Sequence, residues 1–145
     1  MIGTYPHSID AKGRLFIPAR LRDELGENFH VTLSAERDKQ TNSARKYLVA
    51  YSNESWDSLM EKIKEKSKAE QKRMRTIFSH AAWCELDGQG RILLPQPLRT
   101  YAGLKKNVTI VGSGECVEFW DSDVWAVIDE IESSPEFVED IYEEL

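Results

Sequence analysis

The sequence predicts a mainly β chain with peripheral helices, an α+β fold in which two related halves interlock as one pseudo-twofold barrel. Three observations predict it: an internal repeat, short runs of alternating hydrophobicity bounded by turn residues, and one amphipathic helical stripe in each repeat. The chain has 145 residues, 41% hydrophobic and 10% aromatic, an ordinary globular composition for one domain or two closely packed halves.

The repeat appears when the chain is slid by 77 residues. Ile9 to Pro18 (IDAKGRLFIP) then falls on Leu86 to Pro95 (LDGQGRILLP), and Asp, Gly, Arg and Pro coincide. The same offset continues through Leu21/Leu98, Arg22/Arg99, Gly26/Gly103, Val31/Val108 and Leu33/Ile110. It then slips to 69, where Trp56 meets Trp125 and Leu59 meets Ile128, so the first copy carries eight extra residues. These fall in the polar stretch Ser34 to Lys46, opposite the short Gly112 to Glu115, and both read as hairpin loops. The copies divide as residues 1–76 and 77–145, with both halves contributing to one barrel.

Each copy reads as strand, tight turn, strand, short helix, hairpin and longer helix. In the first, a strand precedes Asp10 and another runs from Arg14 to Ile17; Pro18 and Gly26 then bracket a short helix. Its counterpart spans Pro95 to Ala102 and stops at Gly103. Phe29, Val31 and Leu33 with Tyr47, Val49 and Tyr51, and Val108 and Ile110 with Val117 and Phe119, carry the period of two of half-buried strands. Trp56, Leu59, Met60 and Ile63 fall at i, i+3, i+4 and i+7, as do Val124, Val127, Ile128 and Ile131, so each copy closes with an amphipathic helix. Ser52 or Asn53 caps the first and Asp121 or Ser122 the second. Lys62 to Arg75 reads as a helix end and a basic linker, and Pro135 breaks the acidic tail, after which Phe137, Val138, Ile141 and Tyr142 mark a last amphipathic helix that packs on a neighbour or on the barrel. A half of this size cannot bury its own sheet face, which is why the halves are expected to interlock.

Charge is unevenly placed. The net value is -6, yet residues 112–145 hold 12 carboxylates and no Lys or Arg, leaving all 19 basic residues against 13 acidic ones in the rest. A mildly basic body with an acidic tail is compatible with a polyanionic partner despite the overall sign. No apolar run approaches the roughly 20 residues that span a bilayer, and the N-terminus lacks a signal-peptide layout, so a cytoplasmic chain without a membrane partner is expected. Cys84 and Cys116 are too few for a disulfide scaffold, and no histidines stand at zinc-ligand spacing.

The repeated element is a D-x-x-G-R turn, Asp10-Ala11-Lys12-Gly13-Arg14 and Asp87-Gly88-Gln89-Gly90-Arg91. Asp can bond the backbone two residues on, and Gly supplies a positive φ before the next strand. Two readings of the spacing stand open. The Asp–Arg pair closes a hairpin, or the turn enters a DNA groove, with backbone amides and Lys12 on phosphates and Arg14 on base edges, where its planar fork matches guanine O6 and N7. Arg20, Arg22 and Arg99 either flank these turns as phosphate contacts or are solvated helix faces.

Catalysis is not expected: His7 and Cys84 occupy matching positions of opposite halves, and no G-x-S-x-G, phosphate-cradling glycine loop or H-E-x-x-H occurs, so neither cofactor, metal nor small-molecule substrate is implied. A rival class is a protein-interaction module or antitoxin-like oligomer, using the acidic tail and surfaces around Trp56, Trp120 and Trp125.

The runs YPHSIDAKGRLFIPARLRDELG and ELDGQGRILLPQPLRTYAGL, with FWDSDVW, resemble the MraZ family, relatives of the AbrB-type swapped-hairpin transcription factors. The resemblance covers nearly the whole chain. It implies a swapped-hairpin barrel, a ring-shaped homo-oligomer, a nucleoid-associated place in the cytoplasm, and sequence-specific binding of double-stranded DNA at short direct repeats upstream of the division and cell-wall gene cluster. The family's DNA-reading loops fall on Asp10 through Arg14 and Asp87 through Arg91, making Lys12, Gly13, Arg14, Gln89, Gly90 and Arg91 the expected contacts and Asp10 and Asp87 the turn formers. The stretch Ser34 to Lys46 is longer than the family pattern. The second turn has Gly88 and Gln89 where the first has Ala11 and Lys12, so unequal turns are expected, with Arg14 mattering more than Arg91.

Overall fold

A computed structural model describes all residues, 1–145. The first copy comprises β1 (Thr4–Ser8), β2 (Arg14–Phe16), α1 (Ala19–Leu25), β3 (Asn28–Arg37), β4 (Ala44–Tyr51) and α2 (Asn53–Lys64). Two short helices, α3 (Lys68–Arg73) and α4 (Arg75–Ser79), lead to the second copy: β5 (Ala82–Glu85), β6 (Arg91–Leu93), α5 (Gln96–Tyr101), β7 (Asn107–Ser113), β8 (Cys116–Asp121) and α6 (Ser122–Glu132), followed by α7 (Pro135–Glu144). Six strands form one antiparallel sheet in the order β1-β7-β8-β4-β3-β5, and β2 pairs with β6 as a separate ribbon.

The halves are exchanged. The first strand of each copy pairs with the other's hairpin, β1 on β7 and β5 on β3, so every hairpin gains a third strand from its partner half. A lone hairpin is marginal in water and leaves two open edges; the exchanged strand covers one and the β4–β8 pairing the other, so only the short β1 and β5 remain as edges. A pseudo-twofold axis passes between Leu15 and Ile92 in the ribbon and between Val49 and Glu118 in the sheet, since each pair joins equivalent positions of the two copies. The sheet curls around a core to which Phe29, Leu48, Ile110 and Phe119 contribute, and Leu15 and Ile92 of the ribbon close it; all six are at most 1% exposed.

The helices follow their local signals. Ser52 accepts from Ser55 N–H and Asp121 from Val124 N–H, capping α2 and α6. Pro18 and Pro95 stand at the cap positions of α1 and α5, just before the first helical residue. α2 and α6 cover the outer sheet face, where Trp56 stacks on His30 at 4.5 Å and Trp120 on Tyr47 at 4.3 Å. Tyr47, Val49 and Tyr51 therefore belong to this outer layer, while the core face of β4 is Leu48 and Ala50, opposite Leu33 and Val31. The α6 stripe is only partly used: Ile128 is buried, but Val124 and Val127 stay exposed.

Three sequence expectations need correction. Beyond the short helices, the copies align at an offset of 79, because Glu27 and Lys106 make the same bond, accepting from Leu86 N–H and Ile9 N–H. Val31 thus matches Ile110 rather than Val108, and the second copy has two extra residues before β7. Most of Ser34 to Lys46 is strand, not loop: the ladder runs to Arg37↔Ala44, and Arg45 pairs with Glu36 and Asp38 to hold the polar extension. Finally, Lys62 to Arg75 is helical through α3 instead of an open linker. Ser67 accepts from Glu70 N–H while its hydroxyl donates to the Glu70 carboxylate, which starts a new helix within the charged run.

Candidate nucleic-acid interface

The two turns are built alike. Asp10 Oδ1 accepts from Lys12 N–H at 3.0 Å and Arg14 N–H at 2.9 Å, and Oδ2 accepts from Arg14 Nε at 2.6 Å. In the second turn Asp87 Oδ1 accepts from Gln89 and Arg91 N–H at 2.9 and 3.0 Å, and Oδ2 from Arg91 Nε at 2.9 Å. These donors hold both carboxyls below the usual range, with the backbone N–H of the following arginine as the leading cause. Gly13 and Gly90 adopt φ of 87° and 76°, which turn the chain into β2 and β6.

The hairpin-closing reading of the Asp–Arg spacing is seen in this geometry. The carboxylate closes the turn and grips only Nε, so no bond within the chain engages the Nη groups of Arg14 or Arg91. In the ribbon, Leu15 and Ile92 point inward, leaving Arg14 beside Leu93 and Phe16 beside Arg91 on the outer face. The ribbon is three residue pairs long; at about 3.4 Å per residue the two turns lie on the order of 10 Å apart.

The flanking arginines cross between copies. Arg99 of α5 lies over Gly13, where a Cβ would stand 2.9 Å from its guanidinium carbon, and Arg22 of α1 lies over Gly90 in the same way. Arg99 Nε donates to Leu94 O at 3.0 Å; Arg22 instead spreads over the Phe16 ring, 5.3 Å from its centre. Each helix arginine therefore backs the turn of the opposite copy. Arg20 is exposed on α1 and lines neither of the grooves beside the turns.

Sequence reading passed over Lys105 and Lys106, which line the groove beside the first turn with Arg99. Lys105 lies in the two-residue expansion that a constant offset of 77 hid, and Lys106 directly follows it at the position equivalent to Glu27. The signal was present as a Lys-Lys pair between Gly103 and β7, where the first copy has Glu27.

The groups suspected of chemistry are engaged in packing. Cys84 is 4% exposed, and burial pushes its thiol up to about 11, far from a reactive thiolate. His7 rests on Phe16 at 5.2 Å, and burial against Trp56 lowers His30. No cluster of three His, Cys, Asp or Glu side chains is placed to hold a metal ion, and no helix is long and apolar enough to cross a membrane.

Fold and turns together define a class: a duplicated, swapped-hairpin barrel that presents two aspartate-anchored arginine turns from one outer ribbon. The family model described as "MraZ protein, putative antitoxin-like" matches residues 1–76 and 77–139. The chain belongs to the MraZ family. A protein of Carboxydothermus hydrogenoformans named "Transcriptional regulator MraZ" is 44% identical over 127 residues, covering 86% of this chain and 82% of that protein. One of the same name from Heliobacterium modesticaldum is 41% identical over 141 residues, covering 95% and 92%.

Proposed function

We propose that this chain is a transcriptional regulator that reads double-stranded DNA through the turns Asp10 to Arg14 and Asp87 to Arg91. The observation that carries this reading is the arrangement of the two arginines, each fixed at Nε by a carboxylate while its Nη groups stay unpaired on an outer surface. A guanidinium held that way loses little freedom on binding and offers its fork to guanine O6 and N7. Gly13 and Gly90, buried beneath Arg99 and Arg22, hold the turn conformation. Since the amides of residues 12–14 and 89–91 are bonded within the turns rather than free for phosphates, it is the side chains of Lys12 and Gln89 that reach phosphates and bases around the arginines. Arg22 and Arg99, lying over the glycines, support the turns, and Arg99 adds a phosphate contact, with Arg20 further out. The two copies, 1–76 and 77–145, each supply one reading turn.

Two turns per barrel give modest affinity, and a net charge of -6 offers no long-range attraction. Self-association remedies this, because identical turns on successive subunits engage successive short direct repeats with the gain of linked binding. A ring-shaped homo-oligomer has candidate contact surfaces in the exposed Val124, Val127, Ile141 and Tyr142 of α6 and α7 and in the basic stretch Lys62 to Arg75 that runs from the end of α2 through α3. Acidic α6 and α7 of one subunit against the basic Lys62 to Arg75 stretch of the next form a head-to-tail contact of the kind that closes into rings. The proposed address is the promoter upstream of the division and cell-wall gene cluster, in the nucleoid of the cytoplasm.

The test is an electrophoretic shift of the full chain on the DNA upstream of its own gene against a scrambled duplex, with light scattering of free and bound protein. Arg14→Ala is expected to weaken the specific shift by about 1–3 kcal/mol per site, the worth of one bidentate arginine contact. Equal shifts by Arg14→Ala and wild type would overturn the reading. Complexes with protein but not with DNA would favour the interaction-module class instead.

A further inference from the structure

The two grooves beside the turns have the same backbone and opposite charge. Beside the first turn stand Arg99, Lys105 and Lys106, and none of the three forms an ion pair within the chain. Asp10 also lines this groove, but its carboxylate is taken up by Arg14 and the turn amides. Beside the second turn stand Arg22 with Asp23, Glu27 and Glu85, and again none of these carboxylates is paired.

The contrast holds position by position. Lys106 and Glu27 accept the equivalent backbone bond, from Ile9 N–H at 2.8 Å and Leu86 N–H at 2.9 Å, so a lysine and a glutamate leave the same point of the fold. Thr100 matches Asp23, and Ser8 matches Glu85, under the 77-residue offset. Within the turns, Lys12 matches Gln89. All four differences run in one direction. They make the first groove a concentration of unpaired cations and the second a concentration of unpaired carboxylates.

We infer that the groove formed by Arg99, Lys105 and Lys106 is a phosphodiester-binding site that clamps the DNA backbone beside the first turn, while the carboxylate-lined second groove keeps the backbone away. This rests on the reading of the turns as DNA contacts and deepens it: the pseudo-twofold barrel meets a duplex in one orientation. Cations drawn to phosphates release counterions, and carboxylates facing phosphates repel them, so the two grooves have opposite effects on salt dependence. Arg99 is held for this role by its bond to Leu94 O and its seat on Gly13. Lys106 is held by its carbonyl, which leaves its side chain free.

The experiment measures anisotropy of a fluorescein-labelled 30-bp duplex taken from upstream of the chain's own gene, and of a random-sequence duplex of equal length, across a salt series. Lys105→Gln with Lys106→Gln is expected to lower the slope of log K against log salt by roughly 1.8 per subunit bound, 0.9 for each lost contact, and to weaken binding about 30-fold at 0.15 M salt. The loss is expected on both duplexes, because phosphates carry no sequence. The converse variant, Asp23→Thr with Glu27→Lys, is expected to raise the slope by roughly 0.9 and tighten binding. Thermal melts that match wild type confirm that these exposed substitutions leave the fold intact. If Arg14→Ala weakens the specific complex but both groove variants keep the wild-type slope, the inference fails and the turn reading stands. If Arg14→Ala and Arg91→Ala both bind as wild type does, the turn reading fails and the inference with it.

Discussion

Gly88 and Gly90 sit two residues apart in the second turn and answer differently to the same methyl group. Gly90 has φ +76°, and an added Cβ would lie 2.5 Å from Arg22 Nη1 and 3.3 Å from the Phe16 ring. The left-handed conformation costs an L-residue about 1–2 kcal/mol. The arginine tip can move aside, so sterics displace Arg22 rather than add a large penalty. Gly88 has no positive φ and nothing within 4 Å of its Cβ, and Ala11 occupies the equivalent place in the first turn. Gly90→Ala is therefore expected to destabilise by about 1–2 kcal/mol, which for a chain near 150 residues lowers Tm by roughly 2–8 °C. Gly88→Ala is expected to be neutral, or stabilising by up to about 1 kcal/mol through the unfolded chain. The assay is thermal unfolding followed by circular dichroism at pH 7 and equal protomer concentration, since self-association makes Tm concentration-dependent. Equal melting of the two variants would refute the assignment of the turn conformation.

Three further outcomes follow from the core and the axis. Leu15→Ala empties a fully buried site on the pseudo-twofold axis and is expected to cost about 2–5 kcal/mol in urea unfolding; a loss under 1 kcal/mol would show that the ribbon does not close the core. Cys84 stays protonated in the fold up to about 11 against an ordinary 9.0, so wild type loses up to about 3 kcal/mol relative to Cys84→Ala as pH rises from 9 to 11; parallel stability curves over that window would contradict the burial. Burial raises Glu118 above its ordinary 4.5, which means that the fold opposes its ionisation and loses stability as pH climbs through that raised value. Glu118→Gln keeps an acceptor for Trp120 Nε1 and is expected to raise Tm at pH 7, with the gain shrinking toward pH 4; a Tm below wild type at pH 7 would reverse the sign.

The turns were legible because a D-x-x-G-R spelling fixes backbone geometry locally: Asp10 bonds residues two and four ahead, and Gly13 supplies the positive φ. The capped helices were legible for the same reason. Strand exchange was foreseen from the resemblance and from the smallness of each half, since pairing β1 with β7 across 100 residues leaves no local trace. The long hairpin was misjudged because its polar residues are paired rather than looped; Arg45 with Glu36 and Asp38 stabilises strands that hydrophobic alternation does not mark. Lys105 and Lys106 were missed because one offset was carried across a position where the copies differ in length. The charge contrast between the grooves emerged only when equivalent backbone bonds aligned Lys106 with Glu27.

That contrast depends on covalent duplication. In a dimer of identical half-length chains every substitution appears twice, so a lysine beside one turn would stand beside the other as well. Joining the halves removes that constraint, and the core already uses the freedom: equivalent positions Ala50 and Phe119 both face inward, one small and one large, with Val117 and Leu48 opposite them. Volume is shared across the axis rather than repeated on each side. The same freedom on the surface gives one turn the cations of Lys12, Lys105 and Lys106 and surrounds the other with Asp23, Glu27 and Glu85. A symmetric barrel would have no preferred direction on a duplex, whereas this one carries a basic and an acidic side, and the direction it imposes is set by residues that the duplication left free to diverge.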